Sequence, residues 1–276
     1  MRRLRITFLT PAALVTLALF AIPMGIVVAY SLLSRGAYGG VVLPWTLDNY
    51  SRVFDPLYGQ IVWRSLWIAA VSTLLCLVLG FPIALYIARA QRRRALLLNL
   101  VMLPFWTSFL IRTYAWMFLL RDTGLVNSVL VSLHLIRNPL PLLFNDGAVI
   151  LGLVYGYLPF MVLPLYATLE KLDPALIDAA QDLGATPWVT LWKIVVPLSR
   201  SGMLAGGLLV FIPCLGAYLT PDLLGGGKSV MVGNLVQNQF TTARDWPFGS
   251  AVSLLLMAAV LLLVLRILGR REQTLL

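Results

Sequence analysis

The chain is poor in the residues that most enzymes and metal proteins depend on. It holds one histidine, His134, and two cysteines, Cys76 and Cys214, in 276 residues. A lone histidine leaves no His cluster for a metal ion. Both cysteines sit inside apolar segments and read as small buried hydrophobes, not as a disulfide or a metal site. Charge is scarce as well: 12% of the residues are charged, against about 25% in a soluble domain. There is no G-x-x-x-x-G-K-[ST] phosphate loop, so the chain does not hydrolyse ATP by that route. No Ser/His/Asp set, HExxH motif or acidic metal cluster stands out, and no cofactor is expected. An intramembrane enzyme or a stand-alone secondary transporter would have to work with few titratable groups at the bilayer midplane.

Apolar sequence is what remains. Hydrophobic residues make up 60% of the chain and the mean hydropathy is +0.88, which describes a polytopic membrane protein embedded in a lipid bilayer. The net charge of +10 does not point to nucleic acid, because the basic residues fall between apolar segments and form no soluble patch. A spanning helix needs about 20 apolar residues. Six segments qualify, at 8–33, 65–88, 96–120, 148–169, 202–224 and 250–268. The first follows Met-Arg-Arg-Leu-Arg, as a signal peptide would. Its apolar run is too long for a signal core and no small-residue cleavage site closes it, so it reads as a retained helix.

Orientation follows from lysine and arginine. With the N-terminus in the cytoplasm, thirteen of the 21 fall inside, among them Arg2, Arg3, Arg5, Arg89, Lys171, Lys193, Arg200, Arg266, Arg270 and Arg271. Seven fall outside. Arg92-Arg93-Arg94 in a very short loop is the strongest single vote. The expected fold is therefore all-α with six transmembrane helices and both termini cytoplasmic. Residues 1–60 form the first helix and outer loop, 61–268 a transmembrane domain with a cytoplasmic loop at 170–200, and 269–276 a cytoplasmic tail.

That inner loop has the local chemistry of helix, sharp turn, helix. Asp173 can cap a helix that Pro174 opens. Residues 175–183 run helical, and Gly184 supplies a left-handed stop. Thr186 and Pro187 repeat the signal and open a second helix carrying Trp188, Leu191, Trp192 and Val195. Such an elbow suits insertion into a groove on a soluble partner, or it is an ordinary structured loop.

Within the spans, Arg112 is the one charge well inside. It either faces an interior or path, snorkels toward the outer surface, or bonds backbone carbonyls. Aromatics gather near the outer halves of three spans: Trp106, Tyr114 and Trp116, then Tyr155 and Tyr157, then Tyr218. Their faces attract cations, but Trp and Tyr also collect at any membrane interface. Asp222 either meets a cationic cargo or caps a loop turn. Prolines at 82, 104, 159, 164 and 213 interrupt spans, as in helices that line a cavity. The outer loop at 34–64 is turn-rich, and an amphipathic run spans Leu125 to Leu135.

The spacing Asp178-Ala179-Ala180, three residues, Gly184, nine residues, Ile194, one residue, Val196, Pro197 resembles the EAA loop of ABC importer permeases. Asp178 stands where that family has Glu and Val196 where it has Leu. Further segments resemble the spermidine/putrescine branch: Leu-Asp-Asn-Tyr (47–50), Asp-Pro-Leu-Tyr (55–58), Pro-Phe-Trp-Thr-Ser-Phe-Leu-Ile-Arg (104–112) and Leu-Pro-Phe-Met-Val-Leu-Pro-Leu-Tyr (158–166). Pro-Asp-Leu-Leu-Gly-Gly (221–226) and Arg-Asp-Trp-Pro-Phe-Gly (244–249) complete the set. The resemblance implies the type I importer permease fold and a transport role without enzymatic chemistry. It implies a second, non-identical permease, a dimer of ATPase subunits docked below, and an external substrate-binding protein. In that scheme Asp178, Ala179, Ala180, Gly184, Ile194 and Pro197 couple to the ATPase. Trp106, Tyr114, Trp116, Tyr155, Tyr157, Tyr218 and Asp222 are candidates for the translocation path. Permeases for opines, amino-acid derivatives, phosphonates or ferric ion look similar, so the cargo is the finer expectation.

Overall fold

Caps and prolines decide where the long apolar segments start, run straight and break. The computed structural model describes the backbone of residues 2–90 and 92–272, with side chains left aside at 2–9, 12–13, 268 and 270–272. The expected cytoplasmic tail is helical as far as Glu272, and 273–276 lie outside the described residues. The arginines at 2, 3, 5, 270 and 271, used above for orientation, fall among the side chains left aside. Among the described residues four helices are long and apolar enough to cross a membrane, and six if each of two bent pairs counts as one span.

Two compact units are described separately, residues 1–60 with 235–276, and residues 61–234. In the first, α1 (Arg2–Ser31) packs on α14 (Trp246–Glu272). A short antiparallel hairpin, β1 (Leu33–Arg35) with β2 (Val41–Trp45), follows α1. It is a departure from the all-α expectation that three- and five-residue strands hide in a turn-rich stretch. Helix α2 (Asp48–Val53) sends Asn49 inward, where its amide donates to the carbonyls of Ser31 (3.0 Å) and Leu33 (2.8 Å). Arg52 binds the buried Asp245 carboxylate at 2.9 Å and lies 4.3 Å over the Phe248 ring. Asp245 also accepts from the Phe248 N–H at 3.2 Å, capping the start of α14.

The second unit holds most of α3 (Pro56–Arg89), then α4 (Arg94–Met102), a 3₁₀ turn (Leu103–Trp106), α5 (Phe109–Leu120) and α6 (Leu125–Ser132). After these come α7 (Asp146–Leu169), α8 (Pro174–Asp182), α9 (Pro187–Thr190), α10 (Val196–Leu198), α11 (Arg200–Leu215) and α12 (Leu219–Gly225). The start of α13 (Val232–Thr241) closes it. At its centre is α7, whose 24 residues reach about 36 Å at 1.5 Å per residue, enough for a hydrocarbon core of about 30 Å. Asn145 caps it, accepting from Ala148 N–H at 2.9 Å. Helix α7 packs on α11, α12 and α5. The contact with α11 is close because Gly202 and Gly206 have no side chain: a Cβ at Gly206 would lie 2.8 Å from the Met161 sulfur, and one at Gly202 2.8 Å from the Pro164 carbonyl. Small residues at a helix crossing let backbones approach in this way.

Two expected spans are not single helices. The third, at 96–120, breaks at Thr107 and Ser108, and segments 94–106 and 109–132 meet at 84°. Pro104 has no N–H for the Leu100 carbonyl, and Thr107 and Ser108 are extended, with ψ of 152° and 134°. The Thr107 hydroxyl donates to the Pro104 carbonyl at 2.7 Å. The fifth, at 202–224, ends as a helix at Leu215 and resumes at Leu219. At the break the Tyr218 carbonyl, which accepts the first backbone bond of α12 from Asp222 N–H, also accepts from the Asn234 amide at 2.7 Å.

Candidate functional site

Local chemistry builds the inner elbow. The Asp173 carboxylate accepts from Ala175 N–H at 3.0 Å and Pro174 opens α8. Gly184 adopts φ +82° with nothing within 4 Å of where a Cβ would be. The position needs glycine for its left-handed backbone, not for room. Thr186 caps the next helix from Val189 N–H at 3.4 Å, with Pro187 at its first position. Helix α9 then passes through a π turn at Leu191–Val195 into α10. Pro197 explains the widening: it cannot donate to the Lys193 carbonyl, and its ring pushes that carbonyl aside. Segments 187–198 and 200–215 meet at 65°.

The elbow presents apolar surface to its surroundings. Trp188 and Trp192 are 67% and 56% exposed and meet edge to face with centroids 6.0 Å apart. Asp178, Ala179 and Gly184 are exposed, Ile194 and Pro197 half-buried. Ala180, Thr190 and Val195 are buried and anchor the segment. Asp178 also lines a cleft of about 440 Å³ with Arg89, Arg94, Glu170, Ile177 and Val195. Across it Arg94 pairs with Glu170, linking the start of α4 to the end of α7.

The seven aromatic and acidic residues expected along a path do not form one cluster. Trp116 and Tyr155 meet edge to face at 5.5 Å, bringing α5 against α7. Tyr157 lies 6.4 Å from Phe109 and 6.1 Å from Phe160. Trp106 and Tyr114 are exposed. Tyr218 and Asp222 are exposed at the start of α12, where Asp222 N–H donates to the Tyr218 carbonyl at 3.0 Å.

Arg112 turns inward, and no bond from it to a carbonyl is seen among the described residues. It is 8% exposed, and its Nε and Nη1 have no hydrogen-bond partner. The guanidinium lies 5.4 Å from the Phe105 centroid and 5.6 Å from that of Phe109. Phe109, Thr113, Trp116, Gly152, Tyr155 and Gly156 close around it and leave no space for a water. Sequence reasoning also missed α13, although its apolar residues at 232, 235, 236 and 240 have helical spacing. Its first N–H, at Val232, donates to the Ser65 hydroxyl of α3 at 2.8 Å.

The family described as binding-protein-dependent transport system inner membrane component matches residues 80–272. The protein named spermidine/putrescine transport system permease protein PotB in Haemophilus influenzae is 43% identical, over 88% of this chain and 85% of its own. Its counterpart of the same name in Escherichia coli (strain K12) is 44% identical, over 88% and 89%. The crystal structure of a bacterial ABC transporter involved in the import of the acidic polysaccharide alginate has a chain that matches with a TM-score of 0.74 at 18% identity. The match covers 97% of this chain and 95% of that one, and it establishes the fold of an ABC importer permease. These relatives are transport subunits, not enzymes. By the length of the family match and the identity to both relatives, the chain belongs to the binding-protein-dependent transport system inner membrane components, the permeases of ABC importers.

Proposed function

We propose that this permease imports polyamines, spermidine and putrescine, delivered by an external binding protein. The observation that carries the cargo is identity of 43–44% over nearly the whole chain to two permeases named for those substrates. Both termini face the cytoplasm, as does the 170–200 loop of the permease domain at 61–268. The chain pairs with a second, non-identical permease above an ATPase dimer. The exposed Trp188 and Trp192 face, held on the Gly184 elbow, enters a groove on one ATPase. Asp178, Ala179, Ala180, Gly184, Ile194 and Pro197 transmit force between ATPase and spans and carry out no chemistry. The aromatics at 106, 114, 116, 155, 157 and 218, with Asp222, line the route for the cation.

ATP-driven uptake of labelled spermidine and putrescine into proteoliposomes supplied with the binding protein tests this. Uptake is expected to need ATP and to vanish in Gly184→Pro and Asp178→Arg, with both variants still inserted. Normal uptake in both would remove the coupling role. An assembly that hydrolyses ATP but ignores both polyamines would keep the importer and discard the cargo.

A further inference from the structure

The helices that flank the turn from α3 to α4 form an apolar groove, and the turn itself carries a run of arginines. The groove holds about 440 Å³ between Pro82, Ile83 and Tyr86 of α3 and Leu97, Leu100 and Val101 of α4. Its lining is carbon apart from the Tyr86 hydroxyl. The joining turn carries Arg92 and Arg93, both exposed and neither in an ion pair among the described residues, while Arg94 is engaged by Glu170. No acidic residue occurs in the sequence between Asp55 and Asp122, so neither helix of the hairpin offers a carboxylate to the two arginines. The N-cap of α4 is Arg93, whose side chain makes no capping bond to the first N–H groups of the helix.

We propose that this hairpin binds one anionic phospholipid, with an acyl chain in the groove and the phosphate at Arg92 and Arg93. Charge complementarity selects the occupant. A soluble anion would use the arginines and leave the groove empty, and a neutral lipid would use the groove and leave the arginines unpaired. Basic pockets between helices on the cytoplasmic side bind anionic headgroups on this principle. The inference rests on the inner-side location of the turn proposed above.

Native mass spectrometry of the assembled transporter, exchanged into phosphatidylglycerol or phosphatidylcholine, counts retained lipids. One phosphatidylglycerol per copy of this chain is expected to survive where phosphatidylcholine does not. Arg92→Gln with Arg93→Gln is expected to lower its affinity roughly thirtyfold. Leu97→Trp with Leu100→Trp fills the groove and is expected to displace it with both arginines present. Equal retention of the two lipids, or unchanged retention in either variant, would overturn the site. A benzophenone at Tyr86 is expected to mark lipid; an adduct with another subunit would also overturn it. Lipid counting is independent of which leaflet the turn faces, so a wrong orientation would show only in thiol labelling of Arg93→Cys from the two sides.

Discussion

Arg112 is buried with two of its guanidinium nitrogens unpaired and no carboxylate beside it among the described residues. Two aromatic faces compensate in part, by up to about 2 kcal/mol for a desolvated contact. Buried charges without a partner cost several kcal/mol. Arg112 also sits in the first turn of α5, where the helix dipole is positive. Arg112→Met, of similar length, is therefore expected to stabilise the detergent-purified protein by about 1–4 kcal/mol, read as a higher melting temperature. A lower one would mean that the guanidinium holds Phe105 and Phe109 together. None of this was legible in the sequence, which placed the charge inside a span but not the rings and the α7 wall around it. Gly184 is the opposite case, because its role depends on its own backbone. Since nothing crowds it, Gly184→Asn, which tolerates the left-handed region, is expected to retain most uptake.

Between elements, two ion pairs of similar chemistry differ in burial. Arg52 joins α2 to the start of α14 through Asp245, whose side chain is 2% exposed. Removing the arginine strands that carboxylate, a change worth about 3–5 kcal/mol when both partners are buried. Arg52 is itself 43% exposed, so water relieves part of the loss, and Arg52→Ala is expected to destabilise by about 1–3 kcal/mol. Arg94 and Glu170 are 48% and 36% exposed, and a double-mutant cycle there is expected to return at most about 1 kcal/mol. Elements were readable where short-range chemistry fixes them. Asp173, Pro174, Gly184, Thr186 and Pro187 gave the elbow to within a residue. The break at Thr107–Ser108 was not readable, because the apolar run continues through Pro104 and only the φ/ψ of two ordinary residues records the turn.

For the whole molecule, the inner-membrane location and the permease fold followed from hydropathy and the Gly184 spacing together, while sidedness rested on arginine counts. Thiol chemistry can test that sidedness cleanly. Cys76 and Cys214 are fully buried and are expected to stay silent to an impermeant maleimide. Tyr38→Cys, at a site 98% exposed, is expected to label in intact spheroplasts. Trp188→Cys is expected to label only when the inner face is opened. Reversed labelling would invert the topology. What hydropathy could not convey is how the six apolar runs divide, since α12 and α13 are short pieces whose partners lie far away in sequence.

The π turn at Leu191–Val195 fixes an angular setting. A π turn holds one residue more than an α turn, and each residue in an α-helix advances about 100°. Pro197 would still hold the wide turn open after deletion of Lys193, so every residue before the turn would move one position along the chain. The deletion would swing the Trp188 and Trp192 pair by about 100° relative to α11, like a cog slipped by one tooth. The deletant is expected to fold and insert, yet to leave its ATPase turning over without moving cargo. Uptake per ATP hydrolysed, measured beside the parent chain, reads that idling directly.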